Sequence, residues 1–101
     1  MNVIFICGPY RADTEAGILE NISRAEAWAR RFWADGAAVI CPHKNSSMMG
    51  GAIPEENFLN GYLEILGRCD TLFVMPGWEK SEGARAEIKE ARRLGLEIIY
   101  G

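Results

Sequence analysis

The sequence predicts an α/β domain of three layers: a four-stranded parallel sheet, expected order 2-1-3-4, with helices on both faces. Three observations lead there. Short apolar runs alternate with longer segments of helical periodicity, giving β-α-β-α-β-α-β across the chain. The first and third runs are almost wholly apolar, as in strands covered on both faces. Right-handed crossovers turn such a pattern into a parallel sheet flanked by helices. There is no linker, internal repeat or low-complexity stretch, so residues 1–101 form a single domain with one modest core.

Strand one is Asn2 to Cys7, ended by Gly8-Pro9. Tyr10 to Thr14 makes a polar loop at its carboxyl end. Ile18, Ile22, Ala25, Ala29 and Phe32 then form the stripe of a helix that runs to about Asp35, with Gly36 as its stop. Trp28 and Trp33 lie off that stripe. Either they widen the buried face, or the helix packs on a second subunit, since exposed tryptophan is costly in a monomer. Ala37 to Cys41 is strand two, stopped by Pro42. His43 to Pro54 has no periodicity and is long for a connection in so small a domain, which makes it a candidate lid or binding loop. Glu55 to Arg68 is a helix with Phe58, Tyr62, Ile65 and Leu66 inward, although Gly61 lowers its propensity. Thr71 to Met75 is strand three, broken by Pro76-Gly77. Ser81 caps a helix to Leu94 with Ala84, Ile88 and Ala91 along its stripe, Gly95 ends it, and Glu97 to Tyr100 is the last strand.

Composition narrows the function. A net charge of −3 argues against a binder of nucleic acid polymers, although eleven basic residues leave room for a local positive pocket. Cys7, Cys41 and Cys69 are odd in number and lack C-x-x-C spacing, which fits buried thiols in a reducing cytoplasm better than a disulfide framework or a zinc site. No metal or organic cofactor is implied. No apolar run approaches transmembrane length, and the N-terminus enters a strand rather than a signal sequence. A cytoplasmic protein with no membrane partner is expected.

In a 2-1-3-4 sheet the winding reverses between strands one and three, and ligands bind beyond the carboxyl ends at that point. The loops there are Gly8 to Asp13 and Pro76 to Ser81, so two separate polar segments meet in one crevice. The free N–H groups behind Ser81 and the positive end of the helix dipole attract phosphates and carboxylates. Glu87 lies one turn further in. An anion cradle beside a carboxylate points to a phosphorylated or ribosylated small molecule, although capped helices after glycine turns are common and Glu87 alone reads equally as a solvated residue.

Taken together, Cys7-Gly8-Pro9-Tyr10-Arg11, Asn21-Ile22, Pro42-His43, Cys69-Asp70, Pro76-Gly77-Trp78 and Ser81-x-Gly83-x-x-x-Glu87 resemble the nucleoside 2-deoxyribosyltransferase-like superfamily, closest to its small phage- or prophage-type branch of unknown function. The resemblance covers nearly the whole chain. It implies a flavodoxin-like, Rossmann-like fold, a homodimer or higher homo-oligomer, and chemistry at the N-glycosidic bond of a nucleoside or nucleotide. It assigns Glu87 as the nucleophile that attacks the anomeric carbon, and Ser81 and Gly83 as the turn holding the 5′-hydroxyl or phosphate. Tyr10 falls where a tyrosine or arginine orients the substrate, and Arg11 suits a phosphate. Gly8, Pro9 and Gly77 line the same crevice. The dehydrogenase fingerprint G-x-G-x-x-G is absent.

The remaining candidates read two ways. His43 caps a strand end or contacts ligand; Trp78 packs or stacks on a nucleobase. Asp70 ends a helix or caps a turn; Lys80 and Arg85 are solvated or touch phosphate. The superfamily's aspartate eight residues before Asp70 is replaced by Tyr62. Two functions follow. One is an enzyme in which the acid role has moved, to Glu79, Asp13 or His43. The other is a catalytically silent module that senses or sequesters a nucleotide.

Overall fold

Alternation along the two central strands decides the layers. In β1 (Val3–Cys7), Phe5 and Cys7 point to one face of the sheet and Ile4 and Ile6 to the other. In β3 (Thr71–Val74), Leu72 and Val74 join the first set, while Phe73 and the following Met75 join the second. Both strands are covered on both faces, which is why each reads as an unbroken apolar run.

The computed structural model describes residues 1–101. Its sheet runs β2-β1-β3-β4, all parallel, with β2 at Ala38–Ile40 and β4 at Glu97–Tyr100. One face is covered by α1 (Glu15–Ala34) through Ala25 and Ala29, with Trp28 and Phe32 packed against Phe73. The other is covered by α3 (Glu55–Leu66) and α4 (Glu82–Leu94) through Leu66, Ala84, Ile88 and Ala91. Complete burial of side chains such as Phe5, Ile6 and Leu72 is worth about 1.5–3 kcal/mol each. The expected three-layer fold and strand order are the observed ones. No helix is long and apolar enough to cross a membrane.

Local chemistry explains the ends. Thr14 caps α1 by accepting from the Gly17 N–H at 3.0 Å, and Ser81 caps α4 by accepting from the Ala84 N–H at 3.2 Å. The connection from strand two to the next long helix is only partly irregular: Pro42–Asn45 forms a one-turn helix, α2, with proline in its first turn. A turn that short has no apolar period to betray it. The 3-10 turn at Trp78–Lys80, between β3 and α4, escapes the sequence for the same reason. Trp28 is half-buried against Phe73 with the Arg31 guanidinium over its ring, whereas Trp33 stays exposed.

Candidate functional site

The two loops expected at the switch point touch. Gly8 follows β1 so closely under β3 that a Cβ there would stand 2.7 Å from the Met75 sulfur, which requires glycine. Gly77 has φ +91°, and its missing Cβ would lie 3.5 Å from Pro9 Cγ. Three side chains outside the loops brace them. The His43 ring bonds the Pro9 carbonyl through Nε2 at 2.8 Å. Asn21 on α1 donates to the Tyr10 carbonyl at 3.1 Å, and Arg24, one turn on, donates to the Pro76 carbonyl at 3.1 Å. Each bond satisfies a loop carbonyl that no strand or helix ladder could take.

The Nε2 bond to a carbonyl assigns the His43 proton to that nitrogen, leaving Nδ1 a bare acceptor. Nδ1 is buried and has no partner in the chain. Burial holds the His43 pKa below its ordinary value, against smaller upward contributions from the Pro9 and Gly8 backbone, so the ring is neutral. Tyr10 is exposed and meets it edge-on, with ring centroids 5.8 Å apart.

Glu87 reaches the same place from α4. Its half-buried carboxyl lies against the Cys7 thiol, the last residue of β1. Burial pushes the Glu87 pKa up to about 7, and a hydrogen bond from Cys7 offsets part of that rise. Glu87 belongs to none of the chain's ion pairs. The fully buried Cys7 thiol donates to the Ala84 carbonyl at 3.6 Å and is itself driven upward by burial and by the neighbouring carboxylate, so it stays protonated. A carboxyl with its proton affinity raised in this way has the property that a general base or nucleophile working near neutral pH requires.

At the start of α4, Ser81 occupies the Ala84 N–H, while the N–H groups of Glu82 and Gly83 have no acceptor in the chain. Nothing lies within 4 Å of where a Gly83 Cβ would stand, so the flank of this first turn is open at that residue. Arg11 is not free at the crevice; its guanidinium pairs with Glu55 at the start of α3, in an exposed ion pair of the kind that contributes little and exchanges readily.

Other candidates sit elsewhere. Trp78 packs toward β4, with its ring 5.8 Å from that of Tyr100, and lines a groove along one flank of α4. Tyr62 lies edge-on to Phe5, and its hydroxyl gathers α2: it donates to Ser46 Oγ at 2.8 Å and accepts from Asn45 Nδ2 at 3.2 Å. Asp70 is at the opposite end of the sheet, where Oδ2 accepts from the Val3 N–H at 2.8 Å. Asp13 and Glu79 are exposed. No group of three or more His, Cys, Asp or Glu side chains is placed to hold a metal ion.

Sequence reasoning missed Cys7, Asn21 and Arg24 as working parts. Asn21 and Arg24 are polar residues one helical turn apart beside the apolar stripe, a pattern that any solvated helix face also shows. For Cys7 there is no local signal, because its partner is eighty residues away.

Comparison with known proteins follows this geometry. A family model described as a domain of unknown function, DUF7768, matches residues 2–101. No curated protein sequence matches. Among solved structures, the 2-desoxiribosyltransferase from Leishmania mexicana is similar at TM-score 0.71 and 18% identity, covering 99% of this chain and 63% of that one. The Clostridium botulinum CMP N-glycosidase BcmB is similar at 0.67 and 19%, covering 98% and 67%. A 2-deoxyribosyltransferase from the psychrotolerant bacterium Bacillus psychrosaccharolyticus is similar at 0.70 and 20%, covering 97% and 70%. At these identities the likeness is one of fold, and the chain spans less than two thirds of the length of the Leishmania enzyme.

Proposed function

The chain belongs to the family of the domain of unknown function DUF7768, and from that premise we propose that it breaks or transfers the N-glycosidic bond of a nucleoside or nucleoside 5′-monophosphate. The observation that carries the reading is Glu87, a partly buried carboxyl outside every ion pair, beside Cys7, the residue that directly precedes the Gly8-Pro9 turn. The proteins of like fold include two deoxyribosyltransferases and a CMP N-glycosidase, so this fold supports such chemistry.

In the proposed reaction an ionised Glu87 oxygen attacks the anomeric carbon as the bond to the base breaks. The bonding pair leaves with the base, which takes a proton from water. The oxocarbenium-like charge is stabilised by the carboxylate and collapses to a glycosyl ester, which water or a second base then opens. Before attack the Cys7 S–H, turned from the Ala84 carbonyl, stabilises the ionised carboxylate. Tyr10, at the exposed mouth, orients the sugar, and the Gly8-Pro9 and Gly77 backbones form its walls. The N–H groups of Glu82 and Gly83 receive the 5′-hydroxyl or phosphate, with Arg11 released from Glu55 to assist. His43 sets the Pro9 carbonyl and stands behind Tyr10.

Tyr62 supports a second reading, a nucleotide-binding module without turnover. Its hydroxyl is committed to Ser46 and Asn45, so the position that carries an aspartate in the superfamily braces α2 here instead. Incubation with ribo- and deoxynucleosides and their 5′-monophosphates, followed by chromatography for free base, separates the two. The enzyme releases base, and Glu87→Gln lowers that release by at least about a thousandfold. Thermal stabilisation by a panel member without base release assigns the binding module. Unchanged release in Glu87→Gln overturns the nucleophile.

A further inference from the structure

Helix α4 carries Glu87 along one flank of its buried stripe and a groove of about 310 Å³ along the other. Trp78, Arg85, Ile88, Lys89 and Arg92 line it. At about 100° per residue, positions 85, 88, 89 and 92 share one stripe, and 87 lies on the far side of the helix. Three cations therefore converge on one groove of a chain whose net charge is −3.

None of the three is within ion-pair distance of a carboxylate. By contrast, Arg11, Arg30, Lys44, Arg68 and Arg93 all have carboxylate partners. Two of the three are nevertheless held in place. Arg85 donates to the Glu79 carbonyl and Arg92 to the Tyr100 hydroxyl, each at 3.2 Å. Each bond occupies one of five guanidinium donors and leaves the rest of the fork unspent. Tyr100 backs the half-buried Trp78 ring, at an interplanar angle of 50°. Pre-set cations beside a fixed indole and an apolar floor at Ile88 are the parts of a site for a planar, multiply anionic ligand.

We propose that this groove binds a nucleoside di- or triphosphate, with the base against Trp78 and the phosphates along Arg85, Lys89 and Arg92. From residue 85 to 92 the helix rises about 10 Å, a length that suits two or three linked phosphates rather than one. The volume lies at the lower end of the range for small-molecule pockets, about 300–1,000 Å³. The chain's net charge of −3 disfavours a long nucleic acid strand. This site stands apart from the Glu87 reading and does not depend on it.

Isothermal titration of the full chain with ATP, ADP, AMP, inorganic tripolyphosphate and a short oligothymidylate tests the assignment. ATP and ADP are expected to bind more tightly than AMP, and ATP more tightly than tripolyphosphate because only it stacks. Lys89→Glu, at an exposed position, lowers ATP affinity at least about tenfold without loss of the folded circular dichroism spectrum. Glu87→Gln leaves ATP affinity unchanged, which separates this site from the crevice. Trp78→Phe weakens ATP and leaves tripolyphosphate unaffected. The proposal is overturned by the absence of saturable ATP binding at millimolar concentration, or by binding that Lys89→Glu spares and Glu87→Gln removes. It is equally overturned if oligothymidylate outcompetes ATP, since the ligand is then a strand, or if Lys89→Glu splits a dimer, since the groove is then a contact between copies.

Discussion

The two ends of the sheet are built from the same strands and spend their polar groups in opposite ways. At the amino ends, Asp70 closes on the Val3 N–H, and the buried Thr71 hydroxyl lies 2.9 Å from Glu97 Oε1 and 3.1 Å from Asn2 Oδ1. Donors there meet acceptors within the chain. At the carboxyl ends, His43 Nδ1 is buried without a partner, the first N–H groups of α4 have no acceptor in the chain, and Glu87 has no counter-charge. One end holds β1, β3 and β4 in register; the other keeps groups unsatisfied that a ligand can satisfy. Polar groups left without partners cost stability, so the two ends differ in where the fold accepts that cost, and the proposed site lies at the end that does.

The largest break in this contrast comes from Glu87. Its pKa in the folded chain, about 7, lies above its ordinary 4.5, so the folded state holds the proton more tightly than the unfolded state does. The stabilisation is fully present below about pH 4.5, declines as pH rises through 7, and is gone above it. The swing amounts to about 3 kcal/mol at most. His43 acts in the opposite sense: its pKa is depressed, so its contribution is lost as pH falls below its ordinary 6.5. The quantity to measure is therefore the difference between wild type and Glu87→Gln in urea unfolding, from pH 4.5 to 8. We expect wild type to lose stability relative to the variant across that range. Parallel curves would show that Glu87 is solvated.

At the opposite end, Asp70→Ala removes the partner of the Val3 N–H and costs about 1–2 kcal/mol. Because Asp70 is far from the crevice, ligand-induced thermal shifts should keep their size in the variant. A loss of ligand response equal to that of Glu87→Gln would mean that the two ends are not separable.

How much of this was legible follows from the range over which each signal acts. The central strands and long helices announce themselves because burial on both faces, or on one stripe, writes a period into neighbouring residues; Phe5 and Ile88 are readable in this way. Ser81 is readable because capping is local. Short turns carry no period, so α2 and Trp78–Lys80 were invisible. The direction of Trp78 was equally so, since the pull of Tyr100 lies twenty-two residues on. The Cys7–Glu87 pairing and the bracing of Pro9 by His43 arise only when distant segments meet. The basic stripe at 85, 89 and 92 had a helical spacing in the sequence, but cations with and without carboxylate partners look alike until their surroundings are known.

The smallest effect is also the most selective. Ser81→Ala removes an N-cap bond and should lower stability by about 1 kcal/mol, as caps elsewhere do. It also frees the Ala84 N–H and loosens the first turn, whose Glu82 and Gly83 N–H groups are the proposed seat of a 5′ substituent. A dianionic phosphate depends on that alignment more than a neutral hydroxyl does, because charge-assisted bonds to backbone N–H groups are the stronger. Affinity for a 5′-monophosphate should therefore fall several-fold further than affinity for the matching nucleoside, at a temperature where both proteins remain folded. Equal losses for the two would mean that the end of α4 serves stability alone and that the phosphate, if bound, is held by Arg11.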